Sequence, residues 1–185
     1  MAAYDEELIK VAEGLLVREP GQAGLLPRAR IRRSVSSAYY ALFHFLLEEI
    51  GLKIVGTHGN LLERRRIFAR TITHLGAKTA LSKVRGAAID RSVEDMLRPT
   101  NAGTGSVSAP TFAKNLANAF IDAQAKREEA DYDLNAKLSE GDARLMTERI
   151  KRAVADWRNA DTDPDRDFKH ALCLLIALKG KLRES

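Results

Sequence analysis

The sequence predicts an all-α protein folded as an up-and-down helical bundle. Three observations predict it. Long stretches rich in Ala, Leu, Arg and Glu carry apolar residues at helical spacing. Alternating β-branched runs, the mark of half-buried strands, are missing. With 185 residues, 45% of them apolar, the chain can bury one real core. A single domain over 1–185 is therefore expected.

A first amphipathic helix is expected over 5–18. Leu8, Val11, Ala12, Leu15 and Leu16 form its apolar stripe, and Asp5, Glu6 and Glu7 suit the positive end of its dipole. Glu19-Pro20-Gly21 ends it, and Pro27 favours a new start. The central helix follows over 28–51. Ile31, Val35, Ala38, Leu42, Phe45 and Leu46 keep the three-and-four spacing, and Tyr39, Tyr40 and Phe43 widen the apolar arc. A helix this apolar has to be surrounded by others. Next come a loop over 53–60, in which Thr57 or Asn60 offers a cap, and a helix over 61–74 carrying Arg64, Arg65, Arg66 and Arg70. Gly76 is read as an interruption, and a weaker helix is expected over 78–97. Small, turn-forming residues fill 98–110, and 99–110 is expected to be a flexible loop. A long helix over 111–134 buries Phe112, Leu116, Ala119, Phe120, Ala123 and Ala130. Ser139 with Asp142 makes a capping-box start for a helix to residue 158, with Ala143, Met146, Ile150, Ala153, Val154 and Trp157 on one face. Pro164 and its acidic neighbours start a last helix over 165–181, inside a C-terminal extension of 161–185.

Charge is unevenly spread. The net charge is +5, yet 28–98 holds 14 Lys/Arg against 6 Asp/Glu, an excess of +8, while 122–148 holds 4 against 8. One part of the chain can thus face a polyanion while another repels it; a solvated arginine-rich surface gives the same composition. No apolar run reaches the roughly 18 residues of a membrane span, and the first residues lack the pattern of a signal peptide. The lone Cys173 forbids an internal disulfide framework and suits a reducing cytoplasm; its apolar surroundings mark it as a core residue.

Several chemistries find no support. His44, His58, His74 and His170 lie far apart without a second ligand at helical spacing, so no metal site is expected. Gly103-Thr104-Gly105 is not followed by the Lys-Ser/Thr of a phosphate loop, no nucleophile elbow is present, and no cofactor is expected. Three polar clusters remain. Tyr39, Tyr40 and His44 sit together, with Tyr40 and His44 four apart on one face. They read either as a polar site in a groove or as a core tyrosine and a satisfied histidine. His58, between Thr57 and Gly59, can serve as acid or base near neutral pH, or simply end a loop. In the third, Arg127 and Asp131 are four apart and Tyr132 is near them. Such a pair alone contributes only about 0.3–0.5 kcal/mol, but an arginine beside a tyrosine hydroxyl can hold a phosphate, because the guanidinium binds it bidentately and stays charged.

Ser37-Ala38-Tyr39-Tyr40-Ala41-Leu42-Phe43-His44, Thr57-His58 and Arg127-Glu128-Glu129-Ala130-Asp131-Tyr132, followed by a Ser-led amphipathic helix, resemble the HEPN domain family, and most closely its small standalone bacterial members. The resemblance spans roughly residues 8–158. It implies an up-and-down bundle of four to five helices that usually dimerises. It also implies RNA cleavage or nucleotide binding, in proteins often encoded as toxins beside a minimal nucleotidyltransferase antitoxin. On this reading Arg127 holds phosphate, Tyr132 and His58 complete a catalytic set, and Tyr39, Tyr40, His44, Arg64, Arg65 and Asp131 bind RNA or nucleotide. In a dimer two Arg127 clusters would face one cleft. The alternative implied is a non-catalytic module that docks a nucleotidyltransferase or another protein. The chain departs from the family where it matters for cleavage. Ribonuclease members place a histidine four to six positions after the arginine, and here Tyr132 follows Arg127. Arg70 and His74 are four positions apart but lie on a different helix from the expected one. Metal-independent cleavage needs a base for the 2′-hydroxyl and an acid for the leaving oxygen, and tyrosine with an ordinary pKa near 10 does this poorly at neutral pH.

Overall fold

The computed structural model describes residues 4–18, 21, 24–98 and 107–179. Among these the chain is all-α, without a strand. Its helices are α1 (Tyr4–Gly14), α2 (Arg28–Ile50), α3 (Leu62–Ala69), α4 (His74–Ser82), α5 (Glu94–Leu97), α6 (Thr111–Tyr132), α7 (Glu140–Asn159) and α8 (Asp163–Ala177). The chain groups into two compact units, Met1–Phe45 with Ala119–Val154, and Leu46–Asn118 with Ala155–Ser185; α2, α6 and α7 contribute residues to both.

In the first unit α1, α2, α6 and α7 form a closed ring of antiparallel neighbours. Ser34 Oγ donates to the Ala12 carbonyl at 2.8 Å, while the Tyr4 and His44 rings meet at 4.8 Å, so α1 and α2 run in opposite directions. Arg32 Nε donates to the Ala130 carbonyl at 2.7 Å, and Tyr39 packs on Phe120 with ring centres 5.6 Å apart, which sets α6 against α2. Arg149 pairs with Asp122 at 3.3 Å between α7 and α6. Arg144 Nη2 reaches the Leu16 carbonyl at 2.6 Å and Lys151 pairs with Glu13 at 2.8 Å, closing α7 onto α1. The expected stripe of α2 is buried from Ile31 to Leu46, as are the inward residues expected for α6 and α7.

The arginines at the start of α2 have a structural task. Positive charge at a helix N-terminus is disfavoured by the dipole. Here it meets the negative C-terminal ends of two antiparallel neighbours. Arg30 donates to the Leu15 and Val17 carbonyls at 3.0 and 2.6 Å, just past α1. Arg28 donates to the Leu134 carbonyl at 3.0 Å, and Arg32 to those of Ala130 and Asp133, at the end of α6. Ala130 lies in the last turn of α6, where carbonyls lack intrahelical partners, and the other acceptors lie just past the ends of α1 and α6.

In the second unit α8 packs on α4 and α5. Trp157 is buried, and its Nε1 donates to Glu49 Oε2 at 2.7 Å. Lys169 is buried too: its ammonium lies 5.4 Å from the Trp157 ring centre and 5.5 Å from that of Phe112, and donates to the Ala160 carbonyl beyond α7. Cys173 is fully buried, as expected, and burial pushes its thiol pKa up to about 12.

Several boundaries differ from expectation. Helix α1 stops at Gly14, four residues early, with Leu15 and Leu16 in a turn; Asp5 is buried, and Val11, expected inward, is 50% exposed. The central helix does not end at Gly51. It continues as a π-helical turn, Gly51–Val55, and stops at Gly56, whose φ of 114° favours glycine. The expected helix over 61–74 is two elements. Neither Thr57 nor Asn60 caps α3, which Leu61 precedes without a side-chain cap. Thr73 accepts from the Gly76 N–H at 3.1 Å and starts α4 afresh, so Gly76 lies in a first turn instead of interrupting a helix. A Cβ on Gly76 would sit 3.0 Å from Thr73 Oγ1 and 3.2 Å from Lys179 Cγ, which is why only glycine fits easily. The expected helix over 78–97 is α4, a 3-10 turn (Arg91–Val93) capped by the Asp90 side chain, and α5. Helix α8 begins at Asp163, because Thr162 is its N-cap and Asp165 its reciprocal capping-box partner. Of the loop expected over 99–110, residues 99–106 lie outside the described residues, as does the chain beyond 179.

Candidate functional site

Arg127 lies on α6 one turn before the helix ends, where it faces the middle of α2. Its side chain is 17% exposed and that of Asp131 24%. Arg127 Nε approaches Asp131 Oδ2 at 2.6 Å, an ion pair within one helix turn. The angle is poor: Nε is buried and finds no well-aligned acceptor among the described residues. Arg127 Nη2 donates to the Tyr40 hydroxyl at 3.0 Å. The guanidinium lies 5.5 Å from the Tyr40 ring centre and 5.3 Å from that of Tyr132, so two aromatic rings flank the cation. Asp131 is held from its other side by Ser36 Oγ, which donates to Oδ1 at 2.5 Å. Burial works against the arginine's charge; Asp131 and the Tyr40 and Tyr132 hydroxyls outweigh it, and the pKa lies above the ordinary value.

These contacts make a fixed cationic fork. A guanidinium has five N–H donors. The Asp131 contact is through Nε, the Tyr40 contact uses one proton of Nη2, and Tyr132 accepts as well, which is fewer bonds than the five N–H groups can make. A phosphate oxygen or other anion can be held there with the side chain already ordered, which lowers the entropy cost of binding.

The expected site residues separate into groups. Arg127, Asp131, Tyr132 and Tyr40 come together, and Tyr132 is 72% exposed. His44 is one turn beyond Tyr40 and, with it, lines a groove between α1 and α2. Its ring meets Tyr4 edge-on, and burial lowers its pKa from 6.5, leaving the imidazole neutral at pH 7. Tyr39 turns the other way. It is fully buried against Phe43 and Phe120, burial raises its pKa far above that of ordinary tyrosine, and it offers no surface to a ligand. Adjacent residues on a helix point about 100° apart, so Tyr39 and Tyr40 cannot both face one groove.

His58, Arg64 and Arg65 belong to the second unit. His58 is exposed and precedes the 3-10 turn (Gly59–Leu61). Arg65 is occupied: its Nη1 donates to the Gly56 carbonyl at 2.7 Å and the His58 carbonyl at 3.1 Å, closing the loop after α2. Arg64 is exposed. Sequence reasoning missed Ser36. Its signal was present, since Ser36, Tyr40 and His44 repeat every four residues along one face of α2. Among the described residues no three His, Cys, Asp or Glu side chains gather as a metal site, and no helix is long and apolar enough to cross a membrane. No family model, curated protein or solved structure matches the chain.

Proposed function

We propose that this protein is a HEPN-like binder of RNA or nucleotide that grips a phosphate at Arg127. The observation that carries the reading is the guanidinium held between the Tyr40 and Tyr132 rings, hydrogen-bonded to Tyr40 and paired with an Asp131 that Ser36 holds in place. Such an arrangement is costly for a structure that only needs a surface ion pair, which contributes about 0.3–0.5 kcal/mol within a helix. It suits a group that must meet an anion without rearranging. The residues about Arg127 supply positioning and charge. For metal-independent cleavage the neutral His44, in the groove that Tyr40 also lines, is the base candidate that belongs to the same unit as Arg127.

Binding is tested by fluorescence anisotropy of a labelled single-stranded RNA. Arg127→Met is expected to weaken it at least tenfold; equal affinity for wild type and Arg127→Met would refute the reading. Cleavage is tested with total RNA in the absence of metal. Wild-type cleavage that Arg127→Ala abolishes supports a ribonuclease, and the absence of cleavage by wild type limits the protein to binding.

A further inference from the structure

The groove between α1 and α2 extends beyond Tyr40 and His44 onto the exposed side of α1. It is about 510 Å³, within the roughly 300–1,000 Å³ range of small-molecule sites. Its α1 wall is apolar, with Leu8 and Val11, and Leu15 follows just past the helix. Its α2 wall is polar, with Arg33, Ser36, Ser37, Tyr40 and His44. Within its lining the Tyr4 and His44 rings meet edge-on. The groove and the Arg127 fork share two side chains. Tyr40 lines the groove and accepts from Arg127, and Ser36 lines the groove and donates to Asp131. A flat ring lying on Leu8 and Val11 would therefore be one side chain away from an anion on Arg127.

We propose that this groove is a base-binding subsite, so that the protein holds one nucleotide unit with its phosphate on Arg127 and its base between α1 and α2. The inference rests on the phosphate role of Arg127 above. A nucleobase has the required chemistry: an apolar face for Leu8 and Val11, an aromatic system for the Tyr4–His44 pair, and hydrogen-bonding edges for Ser36 and His44. The neutral imidazole has one donor and one acceptor, as reading a base edge requires, and does not repel a neutral base. Phosphate alone would leave the apolar wall unused, with Val11 50% and Tyr4 55% exposed.

The test is calorimetric titration of the full chain with the four ribonucleoside 5′-monophosphates and with ribose 5-phosphate, which lacks the base. At least one nucleotide is expected to bind about tenfold tighter than ribose 5-phosphate, the scale of one stacked base. Val11→Trp, at an exposed position that tolerates bulk, fills the groove. It is expected to erase that difference and leave ribose 5-phosphate binding unchanged. Arg127→Met is expected to weaken both ligands. Nucleotides binding no tighter than ribose 5-phosphate, binding of neither, or Val11→Trp binding nucleotides as wild type does, would overturn the subsite. The first and third results leave the phosphate role of Arg127 standing, whereas Arg127→Met binding ribose 5-phosphate like wild type would remove that role itself. A short RNA that displaces the bound nucleotide identifies a strand end as occupant, and one that does not identifies the free nucleotide.

Discussion

Arg127 and His44 differ in how their surroundings treat charge. Arg127 is desolvated but compensated by Asp131 and two hydroxyls, and it keeps its charge. His44 is desolvated and packed against the Tyr4 and Phe43 rings, and it gives its charge up. That has a pH signature. Above 6.5, the ordinary value, folded and unfolded histidine are both neutral and the residue is silent. As pH falls through that value the unfolded chain takes a proton that the folded chain resists, so stability drops. His44→Gln removes this component. The fall in thermal midpoint between pH 7.5 and pH 5.5 is expected to be smaller in the variant than in wild type, and an equal fall would show that His44 is protonated freely in the folded state. The Arg127–Asp131 pair was legible, since four-residue spacing dictates it. The partnership with Tyr40, 87 positions away, was not a matter of spacing; only the resemblance brought the two stretches together. Tyr39 looked equivalent to Tyr40 in the sequence and is separated from it by the turn of the helix.

At the scale of elements, the apolar periodicity of α2, α6 and α7 was enough to place their buried faces. Helix ends were harder. They are decided by single side chains, such as Thr73 and Thr162, and by φ at Gly56. The arginines opening α2 counted toward a basic excess over 28–98 that fits either a face for a polyanion or a solvated surface. Three of the four instead serve the carbonyl ends of α1 and α6, a tertiary arrangement that no local spacing reveals. Arg32→Met leaves the Ala130 and Asp133 carbonyls without their charged donor. Its expected cost is about 1–2 kcal/mol, the range for partly solvated bonds to a charged group. Arg33→Met, exposed on the same turn, should change stability by less than about 0.5 kcal/mol. Urea unfolding compares the two, and equal midpoints would contradict the capping role.

For the molecule as a whole, the two compact units are linked through α2, α6 and α7, each of which supplies residues to both. Breaking one unit therefore frays helices of the other, and a single cooperative transition is expected. Trp157, the one tryptophan, reports on the second unit, and far-ultraviolet circular dichroism reports on all helices. The two signals should give coincident urea transitions; separated midpoints would show that the units unfold independently. The all-α class was readable from composition and period, but the division into two units was not, because it depends on which stretches of a long helix meet which neighbours. The central claim, an anion held by Arg127, is tested most directly by the salt dependence of RNA affinity. Each phosphate contact on single-stranded RNA contributes about −0.7 to the slope of log affinity against log salt. Arg127→Met is predicted to make the slope shallower by about that amount; identical slopes for wild type and Arg127→Met would contradict an anion held by Arg127.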